Sequence, residues 1–177
     1  MIAWLGGLAA AGAVLTPPLA GSLRAQEASR PGPTCIEAAG MRLLYRLEGD
    51  RLVGTLCGPT RGWVLVGFNH PGRGLEGARL FFFALDADGR VLAEEHEARP
   101  PRHAPRRTLG EADRIEVRRA SERGGTTQVS FRLPARPRTG VGVRLTSGRE
   151  VELILAYSVS DDFDHHSRRR VHQRLTL

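Results

Sequence analysis

Apolar and polar residues alternate along much of the chain beyond residue 40. In MRLLYRLE, residues 41–48, the odd positions are apolar and the even positions are charged, apart from Leu44. The same period of two runs through DRIEVRRA at residues 113–120 and TTQVSFRL at residues 126–133. Because successive side chains of an extended strand point to opposite faces, this pattern predicts strands with one buried face.

Three further segments are apolar on both sides, which predicts central strands covered on both faces. They are GWVLVGF at 62–68, ARLFFFAL at 78–85 and VELILAY at 151–157. Turn signals stand between the runs: Gly49–Asp50 predicts a tight turn and Asp88–Gly89 a hairpin. No segment keeps a helical period over three turns. The pattern therefore predicts an all-β, antiparallel β-sandwich in a single domain.

The N-terminus predicts export. Residues 2–15 form an uninterrupted apolar run that is shorter than the ~20 residues needed to cross a bilayer. Small residues follow, so residues 1–25 are interpreted as a signal peptide cut after Ala25. Residues 26–34 form a polar, proline-rich linker, and residues 35–177 form the folded domain. We expect a periplasmic or secreted protein with no integral membrane span after cleavage; an uncleaved N-terminal anchor is the alternative.

The distribution of charge bears on whether the protein binds nucleic acid. All 26 basic residues are arginine and the formal net charge is +7. The arginines are scattered and form no blocks with interleaved aromatic residues, which argues against a nucleic-acid partner.

Cys35 and Cys57 are the two cysteines. An oxidising compartment permits a disulfide between them, and two separate buried thiols are the alternative.

Three groups of residues resemble a calcium loop, a metal site or a catalytic triad, but each lacks residues that such a site needs. Asp86 and Asp88 stand at calcium-loop spacing, but Arg90 falls where an oxygen ligand is required, which favours a hairpin. His96 and His103 flank a proline-rich stretch without further ligands. The Ser, Asp and His types of residues 160–166 occur without a Gly-x-Ser-x-Gly elbow. The sequence therefore predicts a protein that is not an enzyme.

Five short motifs, in their order along residues 41–177, resemble those of a DOMON domain. They are GW at 62–63, GFN at 67–69, GA at 77–78, DDF at 161–163 and HSRR at 166–169. The resemblance implies an immunoglobulin-like β-sandwich, usually exported, that binds haem b or, in other branches, sugars. The haem-binding members act as cytochromes, which implies a redox partner protein.

The resemblance also implies an altered iron site. The family's histidine ligand falls on His166, but its methionine ligand falls on Leu75, whose side chain cannot coordinate iron. Three outcomes stay open: His166 alone holds the iron, His70 replaces the methionine, or haem has been lost. Under the haem hypothesis, the guanidinium groups of Arg168 and Arg169 are placed to pair with the haem propionates.

Two alternative functions that do not involve haem are a sugar-binding module and a protein-interaction module. Sugar sites usually stack sugar rings on exposed aromatic side chains, but Trp63 lies in an apolar strand and is predicted to be core. A haem-free interaction module needs only a stable sandwich with a basic rim. For His166 itself, a turn histidine bonded to Asp161, Asp162 or Asp164 is the alternative to a ligand.

Overall fold

The computed structural model describes residues 32–100, 102–105, 115–137 and 142–177. The predicted signal peptide and residues 26–31 of the predicted linker lie outside these residues. The described residues form strands and turns, and they contain no helix long and apolar enough to cross a membrane. The strands are β1 (Thr34–Ala38), β2 (Met41–Glu48), β3 (Arg51–Gly58), β4 (Val64–Asn69), β5 (Arg79–Leu85), β6 (Val91–Arg99), β7 (Arg102–Pro105), β8 (Glu116–Arg123), β9 (Thr126–Pro134), β10 (Glu150–Tyr157) and β11 (Arg169–Thr176).

The strands make two antiparallel sheets, which confirms the predicted all-β sandwich. Sheet A has the order β1-β2-β3-β9-β8, and sheet B has the order β11-β10-β4-β5-β6-β7. The predicted central strands β4, β5 and β10 lie in the middle of sheet B and are buried along nearly their whole length. The main core fills the space between the sheets, where Leu43, Phe81, Phe131 and Leu155 are fully buried.

The turn between β5 and β6 is a hairpin, as the sequence predicts. The Asp86 carboxylate accepts hydrogen bonds from the backbone N–H groups of Asp88 and Arg90, at 3.0 and 2.8 Å. Gly89 takes the left-handed backbone conformation, with φ of 75°. Because the carboxylate closes the turn on itself, the calcium-loop spacing reflects turn chemistry.

Neither alternative for the cysteines matches the structure. Cys35 is exposed, Cys57 is half-buried, and both are free thiols. Both β1 and β3 pair with β2, so one strand lies between the two residues. Two strand spacings put their Cα atoms roughly 10 Å apart, beyond the ~7 Å that a disulfide can bridge. An intramolecular disulfide would require sheet A to break.

Candidate functional site

At its centre, the outer face of sheet B, which points away from sheet A, is largely apolar. Strands β4, β5 and β10 carry apolar side chains outward as well as inward at most positions, because their sequences are largely apolar. A second buried cluster results, separate from the main core. Its members are Trp63, Leu65, Ala78, Leu80, Phe82, Ala84, Ala98, Ile154 and Ala156.

Four rings form the centre of this face, and we call them the outer ring cluster: Trp63, Phe82, His96 and Phe163. The Trp63 ring meets Phe82 edge-on with centroids 5.0 Å apart. Phe82 also contacts His96 at 4.7 Å and Phe163 at 5.2 Å. Offset and edge-to-face geometries are the favourable ones for aromatic pairs, so the cluster is a well-packed apolar surface.

One of the two segments that cover this face is the loop of residues 70–78. Leu75 from this loop packs on the second cluster. The Asn69 side-chain amide holds the loop by donating to the carbonyls of Gly74 and Glu76, at 2.8 and 3.0 Å. The backbone N–H of Gly72 donates to the Glu152 carboxylate at 3.0 Å.

Glu152 joins this loop to the edge of sheet B. Its other carboxylate oxygen lies 2.7 Å from Nδ1 of His172 on β11. The hydrogen bond with His172 lowers the pKa of the Glu152 carboxyl, and the bond from Gly72 adds to this, against the opposing effect of burial. The carboxylate form therefore fastens the loop to β10 and β11.

The other covering segment is the loop of residues 158–168. Ser158 Oγ donates to the carbonyl of His166 at 3.1 Å, and the N–H of Arg168 donates to the Tyr157 carbonyl at 2.8 Å. Trp63 fixes the base of the loop, since its backbone N–H donates to the carbonyl of Ser160 at 3.0 Å. A side chain at Gly62 would come within 2.6 Å of the Ser160 backbone, so this close approach requires glycine.

The structure places the sequence-predicted site residues on these two loops. Leu75 is half-buried against the second cluster, whereas the side chains of His166, Arg168 and Arg169 are exposed. His70 is also exposed and begins the first loop. Phe163, from the same loop as His166, packs on the second cluster together with Leu75. The two loops thus flank one face, although no described contact joins the imidazoles of His70 and His166.

His96 is a buried imidazole that the sequence did not predict to belong to this face. The sequence predicts only that it flanks a proline-rich stretch, and the structure places it within β6 with 2% of its surface exposed. Its Nε2 is 3.0 Å from the Glu94 carboxylate. The outward positions of AEEHEA are Glu94, His96 and Ala98, and this alternation was the available signal. Among the described residues, no three His, Cys, Asp or Glu side chains group closely enough to hold a metal ion.

Two buried polar atoms at this face have no hydrogen-bond partner among the described residues: Nε1 of Trp63 and Oδ1 of Asp161. Burial raises the pKa of the Asp161 carboxyl, and the charge of Asp86 raises it further. Burial likewise raises the pKa of the Glu122 carboxyl. The hydrogen bond that the Thr127 hydroxyl donates to it lowers the pKa by a smaller amount. Buried polar groups are nearly always paired in folded proteins, so the unpaired indole N–H calls for an explanation.

The architecture defined by these features is an antiparallel β-sandwich with an apolar, loop-covered face on the outside of one sheet. It is similar to the cytochrome domain of cellobiose dehydrogenase from Myriococcum thermophilum, with a TM-score of 0.58 and 13% sequence identity. The match covers 82% of this chain and 81% of that chain. At this identity the similarity shows a shared fold. No protein-family model and no curated protein sequence matches the chain.

Proposed function

We propose that this protein is an exported, DOMON-type binding module that is not an enzyme, and that its ligand is haem b used for electron transfer with a partner protein. The observation that carries the proposal is the fold shared with a cytochrome domain over four fifths of both chains. The apolar outer face of sheet B supports it, because a sandwich needs apolar residues only on the faces between its sheets.

The described residues suit a haem group with one protein ligand. Haem is largely apolar, and burial of its ring against the outer ring cluster would stabilise the complex. An imidazole is a common ligand of haem iron, and the exposed ring of His166 stands on a loop that covers this face. Leu75 offers no donor atom, so the residues do not suit a histidine–methionine pair.

When bound, haem would supply a one-electron carrier. His166 would hold the iron through a ring nitrogen. Arg168 and Arg169 carry exposed guanidinium groups two and three residues later, and these would pair with the propionates through charge-assisted hydrogen bonds. The bonds that anchor the His166 carbonyl to Ser158 and the Arg168 N–H to Tyr157 would position these groups. The apolar rings would exclude water from the face.

A haem titration of the purified domain without its first 25 residues tests the proposal. We expect saturable binding with the high-spin spectrum of a single imidazole ligand. His166→Ala should weaken binding at least tenfold, while His165→Ala, which alters the neighbouring exposed imidazole, should leave it unchanged. A folded protein that gives no Soret shift with haem would refute the haem ligand. A spectrum unchanged in His166→Ala would refute the assigned iron ligand.

A haem-free interaction module is the second candidate, and one specific observation favours it. Phe163 already contacts Phe82, and its ring centroid lies 6.1 Å from that of His96, so one of the protein's own side chains occupies the outer side of these two rings. In this case the loops would serve a protein partner, and the titration above would show no binding. A sugar site has less support, because Trp63, Tyr45 and Tyr157 are all buried.

A further inference from the structure

The indole of Trp63 combines complete burial with an unpaired donor. Trp63 is 2% exposed, and its Nε1 has no acceptor among the described residues. Indole N–H groups normally find a partner when buried. The donor lies at the outer face of sheet B, where the main core plays no part.

The backbone of Trp63 is fixed to the loop that covers the face, and its ring packs edge-on against Phe82. The backbone N–H of Trp63 donates to the carbonyl of Ser160 at 3.0 Å, and the Trp63 carbonyl accepts from the backbone N–H of Ser158 at 2.9 Å. Both neighbours belong to the loop that covers the face. Thr60 reinforces the arrangement, because its hydroxyl donates to the Ser158 carbonyl and accepts from the N–H of Gly62 at 3.0 Å. The ring itself is buried and in contact with Phe82, and its Nε1 has no acceptor among the described residues.

The neighbours of the Trp63 ring are flat side chains of the kind on which a planar ligand stacks. Phe82 and His96 lie on neighbouring strands, and Phe163 packs against them from a loop. Phe163 is half-buried, whereas Phe82 is 1% exposed. Phe163 is thus the member of the cluster that can move aside at the least cost in lost burial.

We propose that Trp63 is a ligand-binding residue whose indole N–H donates a hydrogen bond to an acceptor on a planar, largely apolar ligand seated against the outer ring cluster. The choice of a porphyrin as that ligand rests on the proposed function. The acceptor would then be a propionate oxygen of the porphyrin. Loss of the donor weakens the complex and removes no hydrogen bond from the free protein.

The test uses Trp63→Phe with two probes, haem and iron-free protoporphyrin IX. The control is Phe83→Leu, which reduces a fully buried ring on the same strand as Phe82 but on its inner face. We expect Trp63→Phe to weaken both probes about tenfold, and Phe83→Leu to leave both affinities unchanged. Because Trp63 is the single tryptophan beyond residue 4, protoporphyrin IX should also quench the tryptophan emission of the unaltered protein.

The outcomes separate this inference from the proposed function. Equal porphyrin affinity in Trp63→Phe and the unaltered protein would overturn the inference and leave the haem proposal standing. If neither porphyrin binds the unaltered protein, the haem proposal fails. The inference is then decided with the planar anionic dye 1-anilinonaphthalene-8-sulfonate. Weaker dye binding in Trp63→Phe than in Phe83→Leu would support the inference, and absent or equal dye binding would overturn it.

Discussion

At the scale of single residues, Arg79 shows how a charge can be buried in this sandwich. Its side chain is fully buried, and its Nε lies 2.9 Å from the Glu95 carboxylate. Its terminal nitrogen NH2 donates to the Pro134 carbonyl at 2.9 Å, and its guanidinium lies over the Phe81 ring. The guanidinium therefore ties the end of β9 to sheet B through a hydrogen bond that apolar packing would not supply.

We expect Arg79→Met to lower the free energy of unfolding by about 3 kcal/mol, because it leaves the largely buried Glu95 carboxylate without its cation. Urea unfolding followed by fluorescence measures the change. Arg90→Met is the matched control, since the Arg90 side chain is 78% exposed in a turn, and its effect should stay within about 0.5 kcal/mol. Equal effects of the two substitutions would contradict the structural role assigned to Arg79.

Leu75 is the residue at which the sequence and the family pattern diverge most clearly. It is half-buried on the second cluster and lies at the position where the resemblance implies a methionine ligand. If haem binds as proposed, Leu75→Met adds a thioether donor of similar volume. We expect the spectrum to change from high spin to low spin and the reduction potential to rise, since axial ligands set the potential. A spectrum that stays high spin would place the iron away from this loop.

At the scale of elements, sequence periodicity predicted the strands with a clear buried face, including the edge strand β8, and missed three of the four edge strands. Strands β2 and β9 alternate because one side faces the core. Strands β1, β7 and β11 were not predicted, and all three lie at sheet edges. In RRVHQRLT, only Val171 and Leu175 pack on the core, so β11 has too few inward apolar positions to show a period of two.

The contact between the 70–78 loop and the sheet edge gives a pH dependence. Folding lowers the pKa of Glu152, so its stabilising contribution is present above the pKa of the unfolded carboxyl, about 4.3. The contribution is lost as the pH falls through the lower folded pKa. We expect Glu152→Gln to be less stable than the unaltered protein at pH 6, and the difference to shrink as the pH falls below the pKa of the unfolded carboxyl.

Unfolding free energies measured across this pH range test the assignment. Glu150→Gln supplies the control, because Glu150 lies on the same strand and is exposed. A difference between Glu152→Gln and the unaltered protein that does not shrink as the pH is lowered would show that the ionised carboxylate does not hold the loop.

At the scale of the whole molecule, sheet B has two buried faces and sheet A has one. The sequence predicted this in part, since β4, β5 and β10 are apolar on both sides. Trp63 is buried, as predicted. Periodicity cannot say which side of such a strand faces the other sheet, so the sequence did not predict that Trp63 lies in the outer cluster. Periodicity also did not predict that Phe163 and Leu75 pack on this face, because loops that fold over a face have no regular alternation of apolar and polar residues.

The stability of the sandwich should not depend on redox conditions, because β2 separates Cys35 from Cys57. Loss of a disulfide from a small domain typically costs 2–5 kcal/mol, which a reductant would reveal as a large drop in the unfolding midpoint. We expect the thermal midpoint to be the same with and without dithiothreitol. A thiol reagent should label exposed Cys35 faster than half-buried Cys57. A midpoint that falls on reduction would mean that sheet A pairs differently from the register observed here.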